Sequence, residues 1–379
     1  DLPQAVEALG ADGPAWRRLL EPFVREWPAF AAEVLGPVVH LPRSPLLLAR
    51  FGVFALAPAQ PLAKALFRTA RTRALFAGLA AHSFLSLRSP LSAAVGIVLG
   101  ASAHAVGWPI AQGGAQSITQ ALVSLLAQHG GSVHTSAPVL SLDPSSPGAE
   151  RFVADAVTLC DLAPAGLLSL AGSRLPPAYR RTLSAYARGP AIVKIDYALS
   201  EPIPWRPPAC RRASTVHLGG TLEQIAACEA AIAHGQVPAE PFVLLAQPTL
   251  ADPTRAPAGR HIAWAYCHAP QGVPQAWPQI VAALEAQIER FAPGFRECVL
   301  ARAVSTPQTL EASDQNLLGG DISGGAMTLG QTLLRPTWRG YQTPDPRLFL
   351  CSASTPPGAG VHGMCGFHAA HAALRSLRR

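Results

Sequence analysis

The chain has 379 residues, enough for two or three domains or for one large domain with an interleaved partner. Hydrophobic residues make up 49% and charged residues 14%, against about 25% charged in ordinary globular proteins, so the surface is sparsely charged and suits a greasy ligand, a membrane face or a missing partner segment. The net charge is +7, but no run of five basic residues occurs, which argues against the clustered Lys/Arg and aromatics of a nucleic-acid binder and leaves milder attraction to anionic phosphates.

Asp1-Leu2-Pro3 has no basic region, and the first apolar stretch carries Arg17, Arg18 and Glu21, so this is not the pattern of a signal peptide. Leu9 to Leu35 shows helical spacing, with Asp12 as N-cap and Pro14 in the first turn. Leu46 to Leu85 is again helical, broken at Pro58 and Pro61, with Arg68, Arg71 and Arg73 on a wet face; three or four helices are expected before residue 106. Leu91 to Ala111 lacks charge for 21 residues, long enough to cross a bilayer, but its small residues, His104 and Pro109 favour a buried helix followed by a turn.

Ser117 to His129 has the period of an amphipathic helix that stops at Gly130-Gly131. Ser132 to Ser136 alternates like a strand, which Pro138 to Leu142 extends toward a turn beginning at Asp143. Arg151 to Leu159 leans toward β structure, and Asp161 to Leu168 reads as a cap plus a short helix. The next stretch is of opposite character: "AIVKIDYAL", "STVHL", "PFVLLAQPTL" and "HIAWAYCHA" are short strands between Pro/Gly-rich turns, an antiparallel sheet, with helices at Leu222 to His234 and about Val281 to Phe291.

Few residues advertise chemistry. Seven cysteines (Cys160, Cys210, Cys228, Cys267, Cys298, Cys351, Cys365) include no C-x-x-C pair, the usage of reduced, mostly buried thiols in a cytoplasmic protein. His362, Cys365, His368 and His371 step by three, so they drift around a helix and cannot all face one ion; no metal site is expected. On "HIAWAYCHA", alternation puts His261, Ala263, Ala265 and Cys267 on one face and Ile262, Trp264, Tyr266 and His268 on the other, which either walls a ligand pocket or, by default, lies in the core. G-x-S-x-G, Walker A, H-E-x-x-H and paired carboxylates are absent, and Asp155, Asp161, Asp196 and Asp321 read as caps and turns, so no catalytic residue is assigned.

The closing stretch "LFLCSASTPPGAGVHGMCGFHAAHAALRSLRR" supplies a short buried strand, a loop from Ser354 to Gly360 and a helix from Met364 to Leu377. Gly358 to Gly363 satisfies G-x-G-x-x-G, but only sixteen residues follow and none is acidic, so it lacks the second strand and the ribose-binding acid of a Rossmann fingerprint. A glycine-rich turn before a helix N-terminus either holds a phosphate-bearing ligand or is simply a turn.

"GWPIAQGGAQSITQALVSLLAQHGGSVHTSAPVLSLD", followed far downstream by "LFLCSASTPPGAGVHGMCGFHAA", resembles the phytoene-dehydrogenase-related FAD oxidoreductases within the amine-oxidase and glutathione-reductase-like group. "RGPAIVKIDYAL", "TVHLGG" and "IERFAPGF" extend the likeness over nearly the whole chain from Leu9. The resemblance implies an α/β fold: a discontinuous FAD/NAD(P)-binding Rossmann-like domain, truncated at its N-terminus, with an inserted α+β substrate domain of antiparallel sheet plus helices. Residues 1–106 would form a mainly helical cap, 107–170 a return segment of the FAD domain, 171–335 the substrate domain and 336–379 the closing strand, loop and helix.

It further implies FAD as cofactor, with Val139 near the adenine and Gly358, Gly360, Val361, His362, Gly363 and Met364 near the pyrophosphate, ribityl chain and flavin ring. Ser352 stands where the family has glycine at the strand end, and the family's own N-terminal fingerprint, about a hundred residues, is expected ahead of Asp1. The implied reaction is hydride transfer between a C–H or C=C centre of an apolar or amphipathic small molecule and the flavin, in a pocket between the helices of residues 45–106 and the sheet of 190–270. Peripheral membrane contact and a cytoplasmic location are compatible with it. A non-catalytic scaffold and a flavin amine oxidase are the alternatives.

Overall fold

A computed structural model describes residues 1–143 and 157–378, and the first part is a stack of short helices. In order they are α1 (Leu2–Ala8), α2 (Gly13–Arg25), α3 (Trp27–Val34), α4 (Pro45–Ala55), α5 (Ala59–Leu66), α6 (Ala70–Ala81) and α7 (Ser92–Ala105). Seven helices therefore stand where three or four were expected, because proline starts new helices here. Pro14, Pro28 and Pro45 occupy first-turn positions where the missing N–H costs nothing. Pro28 also has no N–H to donate back to the Val24 carbonyl, so the helix expected from Leu9 to Leu35 breaks at Glu26.

Asp12 does not cap its own helix. Its carboxylate reaches across to accept from the N–H groups of Arg68 and Thr69 and from the Thr69 hydroxyl, at 2.6 to 2.8 Å, and so joins α2 to the start of α6. Phe23, Phe30, Phe67 and Phe76 fill the core between these helices, and Gly96 and Gly100 let α7 approach Ala80 and Leu20. No single helix among the described residues is long and apolar enough to cross a membrane.

α8 (Gln116–Gln128) ends at Gly130, whose φ of +79° only glycine adopts freely, with the N–H of Gly131 donating to the Leu126 carbonyl at 2.9 Å. The strand expected at 132–142 is not formed. Ser136 turns to φ +56°, residues 132–138 lie in solvent with no ladder partner among the described residues, and the chain is caught again where Val139 packs on a small core and the Leu142 N–H donates to the Leu170 carbonyl. The turn after Asp143, Asp155 and most of the β-leaning stretch from Arg151 fall outside the described residues.

β1 (Thr158–Cys160) pairs in parallel with the late strand β7 (Leu348–Leu350), Thr158 opposite Leu348. Next come α9 (Pro164–Ala171) and α10 (Pro177–Ser184), which pack with Leu348 and Leu350 into a small core. The cap of α9 is Ala163 rather than Asp161.

The expected antiparallel sheet is present in the order β3-β4-β5-β2-β6, built from β2 (Ala191–Leu199), β3 (Thr215–Leu218), β4 (Val243–Ala246), β5 (His261–Ala269) and β6 (Val299–Ser305). The last of these, exposed along most of its length, was not anticipated. α11 (Leu222–Ala233) crosses from β3 to β4, and its Leu222, Ile225 and Ile232 pack into the helical core rather than against the sheet. α12 (Trp277–Phe291) covers the other face, which reads Ala191, Val193, Ile195, Tyr197 on β2 and Ala263, Ala265, Cys267 on β5. The short α13 (Phe295–Cys298), α14 (Pro307–Ser313) and α15 (Leu329–Leu333) lead to β7, and α16 (Met364–Leu377) closes the chain.

Candidate functional site

The site begins where β7 ends. Ser352 is buried, and its hydroxyl donates to the Leu162 carbonyl at 2.7 Å while accepting from the Ser354 N–H, so it ties the strand end to the turn before α9. The Thr355 hydroxyl donates back to the Ser352 carbonyl, and the Tyr341 hydroxyl donates to the Pro356 carbonyl at 2.9 Å. These bonds hold a loop that then turns through three left-handed glycines: Gly358 at φ +108°, Gly360 at +148° and Gly363 at +66°.

The loop opens on a cavity of about 390 Å³ bounded by Asp161, Cys351, Gly358, Gly360, His362 and Gly363. A Cβ placed on Gly363 or Gly366 would meet nothing within 4 Å, so bare backbone faces open space at the start of α16. Burial holds the His362 imidazole below its ordinary pKa, and its Nδ1 accepts the Met364 N–H at 3.0 Å. Chemically this is a short parallel strand, a side-chain-free turn and a helix N-terminus, a cradle for an anionic or dinucleotide ligand.

Of the residues singled out in the sequence, Gly358, Gly360, His362 and Gly363 line this cavity and Ser352 supports it from beneath. Val361 is 98% exposed and points away. Met364 borders a neighbouring cavity of about 500 Å³ with Glu33, Gly36, His40, Phe367 and His371. Val139 packs half-buried on the small core under β1 and β7, in the layer that feeds the loop but not in its cavity. His368 bonds the Leu35 carbonyl and the Cys365 thiol donates to the carbonyls of Thr355 and Gly358, so the helix histidines and Cys365 serve separate partners.

Asp161, Cys351 and Arg335 were not singled out for this site. Asp161 lies at its edge, where burial and the Asp314 carboxylate raise its pKa. Arg335 lies directly behind Gly358: a Cβ on that glycine would stand 3.6 Å from the guanidinium carbon. Only 2% of Arg335 is exposed, and among the described residues no carboxylate lies within ion-pair distance of it. An isolated arginine between helical segments leaves no periodic signal from which this could be read.

A second polar cluster sits between α6, α11 and the sheet. Nε2 of His82 lies 3.0 Å from Nε2 of His217, and burial lowers their pKa values to about 3 and about 4, so both rings are neutral at pH 7 and one donates to the other. Beside them the buried Glu229 carboxylate accepts from Nδ1 of His268 at 2.9 and 3.0 Å, beneath the ring of Phe84. The β5 face carrying Ile262, Trp264, Tyr266 and His268 is therefore not uniform core: His268 is buried, whereas Trp264 and Tyr266, stacked at 11°, are half-buried on the side away from α12. His217 also borders a cavity of about 570 Å³ whose other walls are chiefly Leu75, Leu79, Trp108, Ile225 and Phe242, with Arg71 as its charged residue.

No protein-family model matches the chain. Proteins named pyridine nucleotide-disulfide oxidoreductase domain-containing protein 2, from Rattus norvegicus and Mus musculus, are each 29% identical over 359 residues, covering 84% of this chain and 61% of their own length. An uncharacterized protein of Mycobacterium tuberculosis is 27% identical over 317 residues, covering 72% of this chain and 57% of its own. The chain thus spans about three fifths of the curated relatives it matches.

Among solved structures, an oxidoreductase from Methanosarcina mazei superposes with a TM-score of 0.55 at 17% identity, over 89% of this chain and 71% of that one. A redesigned putrescine oxidase gives 0.54 at 13% identity, over 96% and 76%. The fold is shared with these oxidoreductases. It is the mixed α/β architecture expected from the sequence, with a parallel pair and an antiparallel sheet in one chain.

Proposed function

We propose that the chain carries the closing half of an FAD site and the substrate-binding part of a phytoene-dehydrogenase-like oxidoreductase. The observation that carries this reading is the loop of Gly358, Gly360 and Gly363, left-handed at all three, which presents bare backbone to a cavity at the N-terminus of α16. Those residues fit a dinucleotide: any side chain at Gly358 or Gly360 would be strained, and the open space over Gly363 and Gly366 is where a phosphate or ribityl chain would meet backbone. The adenosine side would come from a fingerprint segment outside this chain, in keeping with the greater length of the relatives.

The chemistry FAD supplies when bound is acceptance of a hydride. The protein's part is to align the substrate, and the apolar cavity bordered by Leu75, Leu79, Phe242 and His217 suits an apolar or amphipathic molecule. Its lining contains Arg71 and no acidic residue, which weighs against the cationic substrate of an amine oxidase.

The test is the visible spectrum of the purified chain, alone and joined to the segment of its rat relative that lies outside the match. Flavin absorbance that requires the segment and is lost in Gly358→Val supports the reading. Absorbance unchanged by Gly358→Val, or absent from both proteins, overturns it.

A further inference from the structure

Arg335 is among the largest side chains of this protein to be fully buried, and it is a permanent cation. Its donors are distributed with little redundancy. Nη2 donates to the Ser323 carbonyl at 2.6 Å and more weakly to the Gly325 carbonyl at 3.4 Å, Nε donates to the Ala353 carbonyl at 3.1 Å, and Nη1 has only the thioether of Met327 at 2.9 Å.

Asp321, the nearest buried acid in the chain sequence, does not answer this charge by contact. Its oxygens accept from the N–H groups of Gly189, Ser323 and Gly325 and from the Ser323 hydroxyl, so it grips the 321–325 turn from the other side. Carbonyl dipoles offset part of the cost of burying a guanidinium, but a neutral donor could satisfy the same carbonyls without burying a charge. What distinguishes arginine here is the position of the charge, one layer of backbone behind Gly358, with Nη1 on that side.

We propose that Arg335 is a positioning residue that supplies positive charge to the cavity closed by the Gly358 loop and thereby favours the extra negative charge that a bound flavin carries once reduced. This rests on the flavin reading above. Arg335 touches no reacting atom; it acts through the field it casts across Gly358, in a buried region where such a field is weakly screened.

The charge has a reporter that needs no flavin. Cys365 lines the same cavity; burial raises the pKa of its thiol, hydrogen bonds with Gly358 and Thr355 and then the Arg335 charge oppose that rise, and the Asp161 carboxylate adds to it. Two variants separate charge from hydrogen bonding: Arg335→Lys keeps the charge, and Arg335→Gln keeps a donor without it. In the flavin-loaded fusion, Arg335→Gln is expected to shift the two-electron reduction equilibrium at least tenfold toward the oxidised form, about 30 mV, whereas Arg335→Lys stays within threefold of the parent.

In the flavin-free chain, the pH profile of Cys365 alkylation, read by mass spectrometry, is expected to move to higher pH in Arg335→Gln and not in Arg335→Lys. A fusion that binds no FAD defeats the flavin reading alone, and the thiol profile then decides whether the charge reaches the cavity. An unmoved profile, an unmoved potential, or equal shifts in both variants overturns the assignment of Arg335.

Discussion

Two regions of this molecule treat their apolar residues in opposite ways. The helices from α1 to α7, with α11, bury Trp16, Phe23, Phe30, Phe67 and Phe76 at 2% exposure or less, and their linking carboxylate Asp12 is satisfied on both oxygens. α8 has no buried residue at all, although Ile118, Leu122, Leu125 and Leu126 lie on it, and Leu140 in the segment that follows it is more than half exposed. The first region is a finished core. The second has the composition of a core and the exposure of a surface. The proposed cofactor loop belongs to neither extreme: it follows β7, whose Leu348, Phe349 and Leu350 are fully buried, the two leucines in a small core of their own.

If that comparison is right, stability of the isolated chain resides in the helices. Phe30→Ala is expected to cost about 3–5 kcal/mol, because the ring is fully buried among Phe23, Trp27 and Phe51 at centroid distances of 4.6 to 6.1 Å. Urea denaturation of the chain measures it. A loss under about 1 kcal/mol, well below the usual range for a buried aromatic, would mean the helical core is looser than its contacts imply.

A smaller effect with a pH signature comes from Asp12. Burial pushes its pKa up, but the Thr69 hydroxyl and the N–H groups of Arg68 and Thr69 outweigh that and hold it at about 2, below the ordinary 3.8. The folded pKa is the lower one, so its stabilisation is complete above about pH 4 and drains away as the pH falls toward 2. Asp12→Asn should cost about 2 kcal/mol at pH 7, the worth of hydrogen bonds to a charged group. It should also flatten the pH dependence of the melting temperature between pH 4 and 2, and an unchanged acid limb would show that the link between α2 and α6 does not depend on the charge.

What could be read from the sequence did not follow that division, since the helices of the well-packed region were undercounted. The antiparallel strands β2 to β5, α11, α12 and the β7–loop–α16 unit are all visible as alternation, period and glycine placement, because each is decided by contacts within a short window or by backbone chemistry. The segment 132–142 has the alternation of a strand and forms none, since a strand needs a neighbour and alternation cannot supply one. β6 has weak alternation and takes its register from Tyr197 and Ile195 on β2, far away in the chain. At the candidate site the glycines were legible, while Arg335 and Cys351 arrive through tertiary packing that no local pattern encodes.

The smallest expected effect is the one that tests the comparison most directly. Leu122 and Leu126 are 63% and 44% exposed on α8, so truncating them returns almost no apolar surface to water and leaves no cavity. The double variant Leu122→Ser, Leu126→Ser should therefore stay within about 0.5 kcal/mol of the parent in urea denaturation, despite removing two leucines that would cost several times more in a core. Self-association should fall at the same time, since an exposed apolar stripe of this kind is an adhesion site, and sedimentation velocity over a range of concentrations reads that directly. A loss of about 2 kcal/mol or more, the range of buried leucine truncation, would show that α8 is covered in the isolated chain. The two regions would then be equally finished.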